Sequence, residues 1–212
     1  MVKTVAHNSL DPLAMDEDLN TRFARLAYLD PSARVHGKVE IGEHASLWPY
    51  SVIRAEGFYV RVGAFTNLQD HVMVHVGYHT PTIVGDFCSI THRVTLHGCT
   101  IGDHCLIGIG ATVMEGAVIG ENSIIAGNSF VVDGTIVPPN SVVMGTPAKV
   151  VKSQNNFIAN KLNALMYWRN ALCYAKGDHR GWDGPQFEAQ MAAWRQEIET
   201  EFAARYGGVA GD

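Results

Sequence analysis

The 212-residue sequence predicts a mainly β protein, a parallel β-helix of hexapeptide repeats followed by a C-terminal α-helical tail. Three observations carry this. Counting in sixes from Ile101 gives Ile101, Ile107, Val113, Ile119, Ile125, Val131, Val137 and Val143, so eight successive sixth positions are Ile or Val. The same register runs upstream as Val35, Ile41, Leu47 and Ile53, as Val62, Leu68 and Val74, and as Val84, Ile90 and Leu96, with short insertions between. The pattern then stops at "GTPAKVVKS", and helical spacing replaces it.

A six-residue apolar period matches neither a helix nor a simple hairpin sheet. It matches a coil in which each hexapeptide supplies one short strand and one turn, three of them making a triangular rung of about 18 residues. The β-branched residue of each repeat faces the core, where its stiff χ1 suits a strand. Small and turn-forming residues fill the steps between. The expected organisation is an N-terminal arm over residues 1–30, the β-helix over 31–150 and the helical tail over 151–212. Pro147 breaks the repeat. Ile158, Leu162, Leu165 and Met166 then follow helical spacing, "KGDHRGWDGP" interrupts, and Phe187, Met191, Trp194, Ile198 and Phe202 resume it. The apolar stripe of the tail is expected to cover the stack or a neighbouring subunit.

Composition narrows the function classes. A net charge of −5 argues against a nucleic-acid partner, which selects a basic field. No run of 18 apolar residues suggests a membrane span. The first twenty residues lack the apolar stretch of a secretory leader and turn acidic in their second half. Cys88, Cys99, Cys105 and Cys173 show no CxxC spacing, which reads as reduced thiols in a cytoplasmic protein.

The polar residues that matter are placed by counting around the triangle. Ile101, Ile119 and Val137 define a first face. Leu68, Ile90, Ile107, Ile125 and Val143 define a second, and Ile53, Val74, Leu96, Val113 and Val131 a third. Arg54, His75 and His97 each follow a core residue of the third face. They therefore form one outward column, spaced as adjacent strands are, roughly 4.8 Å apart. Asp70 and His92 sit two residues after Leu68 and Ile90 and form a column on the second face. His92 thus points away from His75 and His97 within one prism. In a threefold trimer the second-face column of one subunit can meet the third-face column of the next. His75 and His97 of one chain then meet His92 of another, and Asp70 lies near Arg54 as an intersubunit ion pair. Three neutral imidazoles with a fourth position open are the usual arrangement of a catalytic zinc. His7, His36, His44, His71, His79, His104 and His179 are read as surface or hydrogen-bonding residues.

"VIRAEG", "TNLQDHVMVH" and "ITHRVTLHGCTIG" together resemble the γ-class carbonic anhydrases and their bacterial relatives, over about residues 31–150. The resemblance implies a left-handed β-helix assembled as a homotrimer, with a metal site at each interface. It implies that His75, His92 and His97 are the ligands of Zn2+, with Fe2+ or Co2+ as other occupants. It implies that Gln69 hydrogen-bonds hydroxide or bicarbonate at the metal, and that Arg54 and Asp70 form the interface pair. Where the family shows Arg-x-Asp this chain has Arg54-Ala55-Glu56, which gives Glu56 the catalytic carboxylate position with one methylene more. Founding members carry a proton-shuttling glutamate in the loop after the first ligand. Here that loop, "VGYHTPT", holds no carboxylate, and His79 is its only titratable side chain apart from a tyrosine. Thr91 stands where relatives often have Gly. Tyr167, Asn170 and Tyr174 are candidates for the tail's contribution to a pocket.

The activity implied is that of a lyase, the reversible hydration of carbon dioxide, and slow because no proton exit is evident. Three alternatives use the same scaffold: a metal-dependent hydrolase of a small ester or thioester, a hexapeptide acyltransferase with histidine as general base, and a non-catalytic metal-binding trimer.

Overall fold

The computed structural model describes residues 25–207. Most of the expected N-terminal arm, up to residue 24, lies outside the described residues. The chain winds as a parallel β-solenoid with three walls. One wall is an eight-stranded sheet running through Tyr28–Leu29, Ser46–Leu47, Asn67–Leu68, Ser89–Ile90, Leu106–Ile107, Ile124–Ile125, Ser141–Gly145 and Ala148–Ser153. The other two walls are joined by one long strand, Val52–Val62. Its first half pairs with Met73–His75 and leads to Thr95–His97, Thr112–Val113 and Phe130–Val131. Its second half pairs with Thr82–Val84 and leads to Thr100–Ile101, Val118–Ile119 and Ile136–Val137.

The register agrees with the faces counted from the sequence. Leu47, Leu68, Ile90, Ile107, Ile125 and Val143 face one another rung by rung. Ile53, Val74, Leu96, Val113 and Val131 do the same on the second wall. Val62, Val84, Ile101, Ile119 and Val137 do so on the third. These side chains are almost wholly removed from solvent, each burial worth roughly 1.5–3 kcal/mol. The stack therefore has one continuous apolar centre. After Pro147 the chain reverses, and Ala148–Ser153 pairs antiparallel with Ser141–Gly145, closing the last rung.

Two helices follow, α1 (Phe157–Tyr174) and α2 (Pro185–Tyr206). Ile158, Leu162 and Leu165, the stripe read from the sequence, pack with Trp194, Ile198 and Phe202 of α2. That stripe is the seam between the helices. The side of α1 laid on the solenoid mixes aromatic, small and polar residues: Tyr167, Ala171 and Tyr174 meet Trp48, Trp168 packs edge-on against His44 and Phe65, and Asn160 donates from Nδ2 to the carbonyls of His104 and Ser123. The spacing of aliphatic residues does not reveal such a face, because its contacts come from aromatic rings, small side chains and hydrogen bonds to the backbone. Beneath α1, His44, Phe65, Phe87 and His104 stack along one corner of the coil, with centroid separations of 4.7, 4.8 and 5.6 Å, and Phe157 caps the ladder 4.6 Å from His104. Among the described residues no helix is long and apolar enough to cross a membrane. All four cysteines are free thiols, and burial pushes Cys99 up to about 12.

Candidate metal centre

Arg54, His75 and His97 are consecutive partners across three adjacent strands. Each follows a core residue, so the two-residue alternation of a strand turns all three outward. The rings of His75 and His97 lie 5.2 Å apart between centroids. His75 Nε2 is 3.0 Å from Glu56 Oε2, while Glu56 Oε1 accepts from Arg54 Nη1 at 2.5 Å. A carboxylate can only accept, so Nε2 carries a proton, and in the neutral imidazole Nδ1 of His75 keeps a lone pair. Partial desolvation pushes the Glu56 carboxyl up, but its own backbone N–H, His75 and Arg54 outweigh this and hold it below the usual carboxylate range. Nδ1 of His97 is buried and has no hydrogen-bond partner among the described residues.

The second column forms on the neighbouring wall. His92 Nδ1 is 2.9 Å from Asp70 Oδ2. By the same reasoning the proton sits on Nδ1, and Nε2 is left as a donor lone pair, the arrangement by which a carboxylate orients a metal-binding imidazole. Within one chain the three imidazoles are divided two and one between walls. Among the described residues no three His, Cys, Asp or Glu side chains of a single chain converge as a metal cage. Arg54 and Asp70 likewise have separate partners within the chain, Glu56 and His92. The donor set nevertheless suits a zinc-like ion: three imidazoles, two of them carboxylate-oriented and the third with an unspent buried nitrogen.

Gln69 is 1% exposed, on the wall that α1 covers. Its Nε2 donates to Asn67 Oδ1 at 2.9 Å, Asn67 donates to Ser89, and Ser89 donates to Asn163 of α1. The amide orientation is therefore fixed by a polar chain reaching the tail. Tyr167 lies near Asp70: burial first, then the Asp70 carboxylate, push its phenol up to about 12. Asn170 is buried, and with Tyr174, His179, Arg180, Trp182 and Asp183 it lines an open cavity of about 310 Å³. Trp182, on the cavity wall, stacks edge-on against Tyr167, 5.1 Å between centroids. His79 is exposed and packs edge-on against Tyr78.

One functional candidate escaped the sequence reading. The loop after His75 carries no carboxylate of its own, but Glu115 reaches it from the next rung, accepting from Thr80 Oγ1 at 2.9 Å and from the His79 backbone N–H at 3.3 Å. The signal was present in the repeat: Glu115 stands two residues after core residue Val113, in the rung stacked on His97.

The family model "Bacterial transferase hexapeptide (six repeats)" matches residues 98–133. A Methanocaldococcus jannaschii protein named a probable carbonic anhydrase is 43% identical over 150 residues, which cover 70% of this chain and 91% of that one. The chain belongs to the γ-carbonic anhydrase-like hexapeptide-repeat family. Within that family, gamma carbonic anhydrase 1 of Arabidopsis thaliana mitochondria is 44% identical over 95 residues, 42% of this chain and 34% of that protein. Protein YrdA of Escherichia coli is 35% identical over 112 residues, 50% of this chain and 61% of that one. The chain thus spans one third to three fifths of these last two relatives. Among solved structures, a proposed acetyltransferase of Bacillus cereus superposes with a TM-score of 0.65 at 30% identity, over 71% of this chain and 92% of that one. Family membership and the transferase names of structural relatives therefore coexist on one scaffold.

Proposed function

We propose that this chain is a zinc-dependent carbonic anhydrase-like lyase that works as a homotrimer, with one metal centre at each subunit interface. The observation that carries this reading is the division of the site between walls. His75 and His97 stand in register on one, and His92, oriented by Asp70, stands on the next. Names given to relatives, the Methanocaldococcus jannaschii protein above all, support the same reading.

His75 and His97 of one subunit and His92 of its neighbour would hold the ion, with Fe2+ or Co2+ able to replace Zn2+. The metal, when bound, supplies a water acidic enough to lose its proton near neutral pH. Glu56 holds His75 in one tautomer, and Asp70 does the same for His92. Gln69, with its amide nitrogen committed to Asn67, offers its carbonyl oxygen to orient a hydroxyl group or bicarbonate. Arg54 and Asp70 would complete an ion pair across the interface. The substrate would be carbon dioxide or bicarbonate, the partner two further copies of the chain, and the location cytoplasmic, without nucleic acid or membrane.

A second reading is favoured by the cavity beside Asn170, larger than a triatomic substrate needs. A small ester or thioester could be hydrolysed at the same centre. The acyltransferase reading draws on the name of the Bacillus cereus structure. One preparation separates all three: metal analysis, then carbon dioxide hydration, thioester hydrolysis and acetyl transfer, each before and after chelation. Hydration lost with the metal and regained with Zn2+ or Co2+ supports the lyase. Acetyl transfer that survives chelation rejects it.

A further inference from the structure

The segment between the first two histidines of the site is built as a stapled loop. Thr82 Oγ1 donates to the His75 carbonyl at 2.5 Å, and the Gly98 N–H, next to His97, reaches the same carbonyl at 3.0 Å and Thr82 Oγ1 at 2.8 Å. The loop Gly77–Thr80 closes on itself through Gly77 N–H to Thr80 O at 2.9 Å. It lies so close to Gly98 that a Cβ there would stand 2.5 Å from Thr80 Oγ1 and 2.8 Å from Gly77 Cα. From above, Glu115 accepts from Thr80 Oγ1 and from the His79 N–H. Those hydrogen bonds, the His79 N–H first and then Thr80 Oγ1, hold its carboxyl below the usual range. A carboxylate so stabilised is a poor proton carrier and a good fixed acceptor.

We propose that Glu115 is a positioning residue of the metal centre: it pins the Gly77–Thr80 loop onto Gly98 and so fixes the mutual stance of His75 and His97. This rests on the reading of His75, His92 and His97 as ligands. The His75 carbonyl ties its strand to Gly98, the residue after His97, and the Gly77–Thr80 loop packs directly on Gly98. Freeing the loop would let the end of the Met73–His75 strand relax. Groups that orient metal ligands from outside typically cost 10–100-fold in metal affinity when lost. Because Glu115 acts through the backbone, the lower end is expected, about 10-fold.

The test uses the full-length protein and Co2+ as probe, with visible absorption reporting ligand geometry. Glu115→Ala and Thr80→Val should each weaken Co2+ binding about 10-fold and alter the cobalt absorption, while melting temperature and oligomer size stay at parent values. The double variant should lose little more than either single one, since both remove the same contact. Glu115→Gln keeps an acceptor oxygen at the same reach and should recover most of the lost affinity. Parental Co2+ affinity and spectrum in Glu115→Ala overturn the proposal. So does a Glu115→Gln loss as large as that of Glu115→Ala, because charge and not the staple would then matter. If His75→Ala, His92→Ala and His97→Ala all retain Co2+, the underlying ligand assignment fails instead, and the two failures are told apart.

Discussion

His97 stands directly on His75 from the adjacent strand, the two rings 5.2 Å apart and both outward on one wall of the solenoid. Such a pair cannot complete a tetrahedral site alone, and the third imidazole of the candidate site, His92, belongs to the neighbouring wall with Asp70. The expected consequence is a site shared between subunits.

Subunit mixing tests this. His92→Ala and His97→Ala chains should each bind little zinc, since two imidazoles make a poor site. In mixed trimers some interfaces draw His75 and His97 from one chain and His92 from the other, so part of the metal binding should return after subunit exchange. Demonstrated hetero-trimers with no recovery would reject the shared site.

Arg54 is bonded to Glu56 within the chain and would gain Asp70 across the interface. Arg54→Ala should therefore weaken the trimer and leave the secondary structure of the subunit intact. Asp70 would keep its bond to His92 but lose its counter-charge at the interface, a loss of up to about 3–5 kcal/mol. Sedimentation at falling concentration reads this directly; dissociation at the parent's concentration would mean that the ion pair does not form.

His104 gives the protein an acid-sensitive joint beneath α1. Burial first, then Lys161, lower its folded-state value from 6.5 to about 4, with Arg205 acting in the same sense and Asp103 and Glu201 against it. The unfolded chain therefore takes up the proton first. This contribution to stability is intact above about pH 6.5, is lost as pH falls towards 4, and is constant below, a loss on the order of 3 kcal/mol. His104→Phe, which continues the stack between Phe87 and Phe157, should flatten that limb. Urea midpoints at pH 7 and pH 4.5 for both proteins give the answer; parallel pH dependence would show that His104 is not the group responsible.

Gly98 has φ of +60° and no room for a side chain. Gly98→Ala should cost about 1–3 kcal/mol from the backbone conformation alone, and should displace the Gly77–Thr80 loop. Faster amide exchange at His79 and Thr80 than in the parent is the expected sign. An alanine variant as stable as the parent, with the same exchange, would contradict the close packing.

Much of the fold was legible because the repeat is a local code. Ile90, Leu96 and Ile101 each sit where a short parallel strand needs a β-branched or aliphatic core residue, and counting alone put Arg54, His75 and His97 in one column. The counting did not extend to Glu115, because attention to positions beside histidines passes over an acceptor that serves a loop 35 residues earlier. Nor did it reach the docking of α1, where Asn160, Tyr167, Trp168, Ala171 and Tyr174 make the contact that Ile158, Leu162 and Leu165 were expected to make.

The six-residue period, and with it three walls, a continuous aliphatic core and the rung on which each polar residue rides, can be read from the order of residues alone. Those follow from neighbours in the chain and the two-residue alternation of a strand, which any reader of the sequence can count. Tertiary structure decided which side chains touch: Glu56 on His75, Asp70 on His92, the Asn67–Ser89–Asn163 chain behind Gln69, and Glu115 on the loop above His97. These contacts join residues from different rungs or from α1, and their distances depend on strand twist, on turn geometry and on where α1 comes to rest, none of which a period encodes.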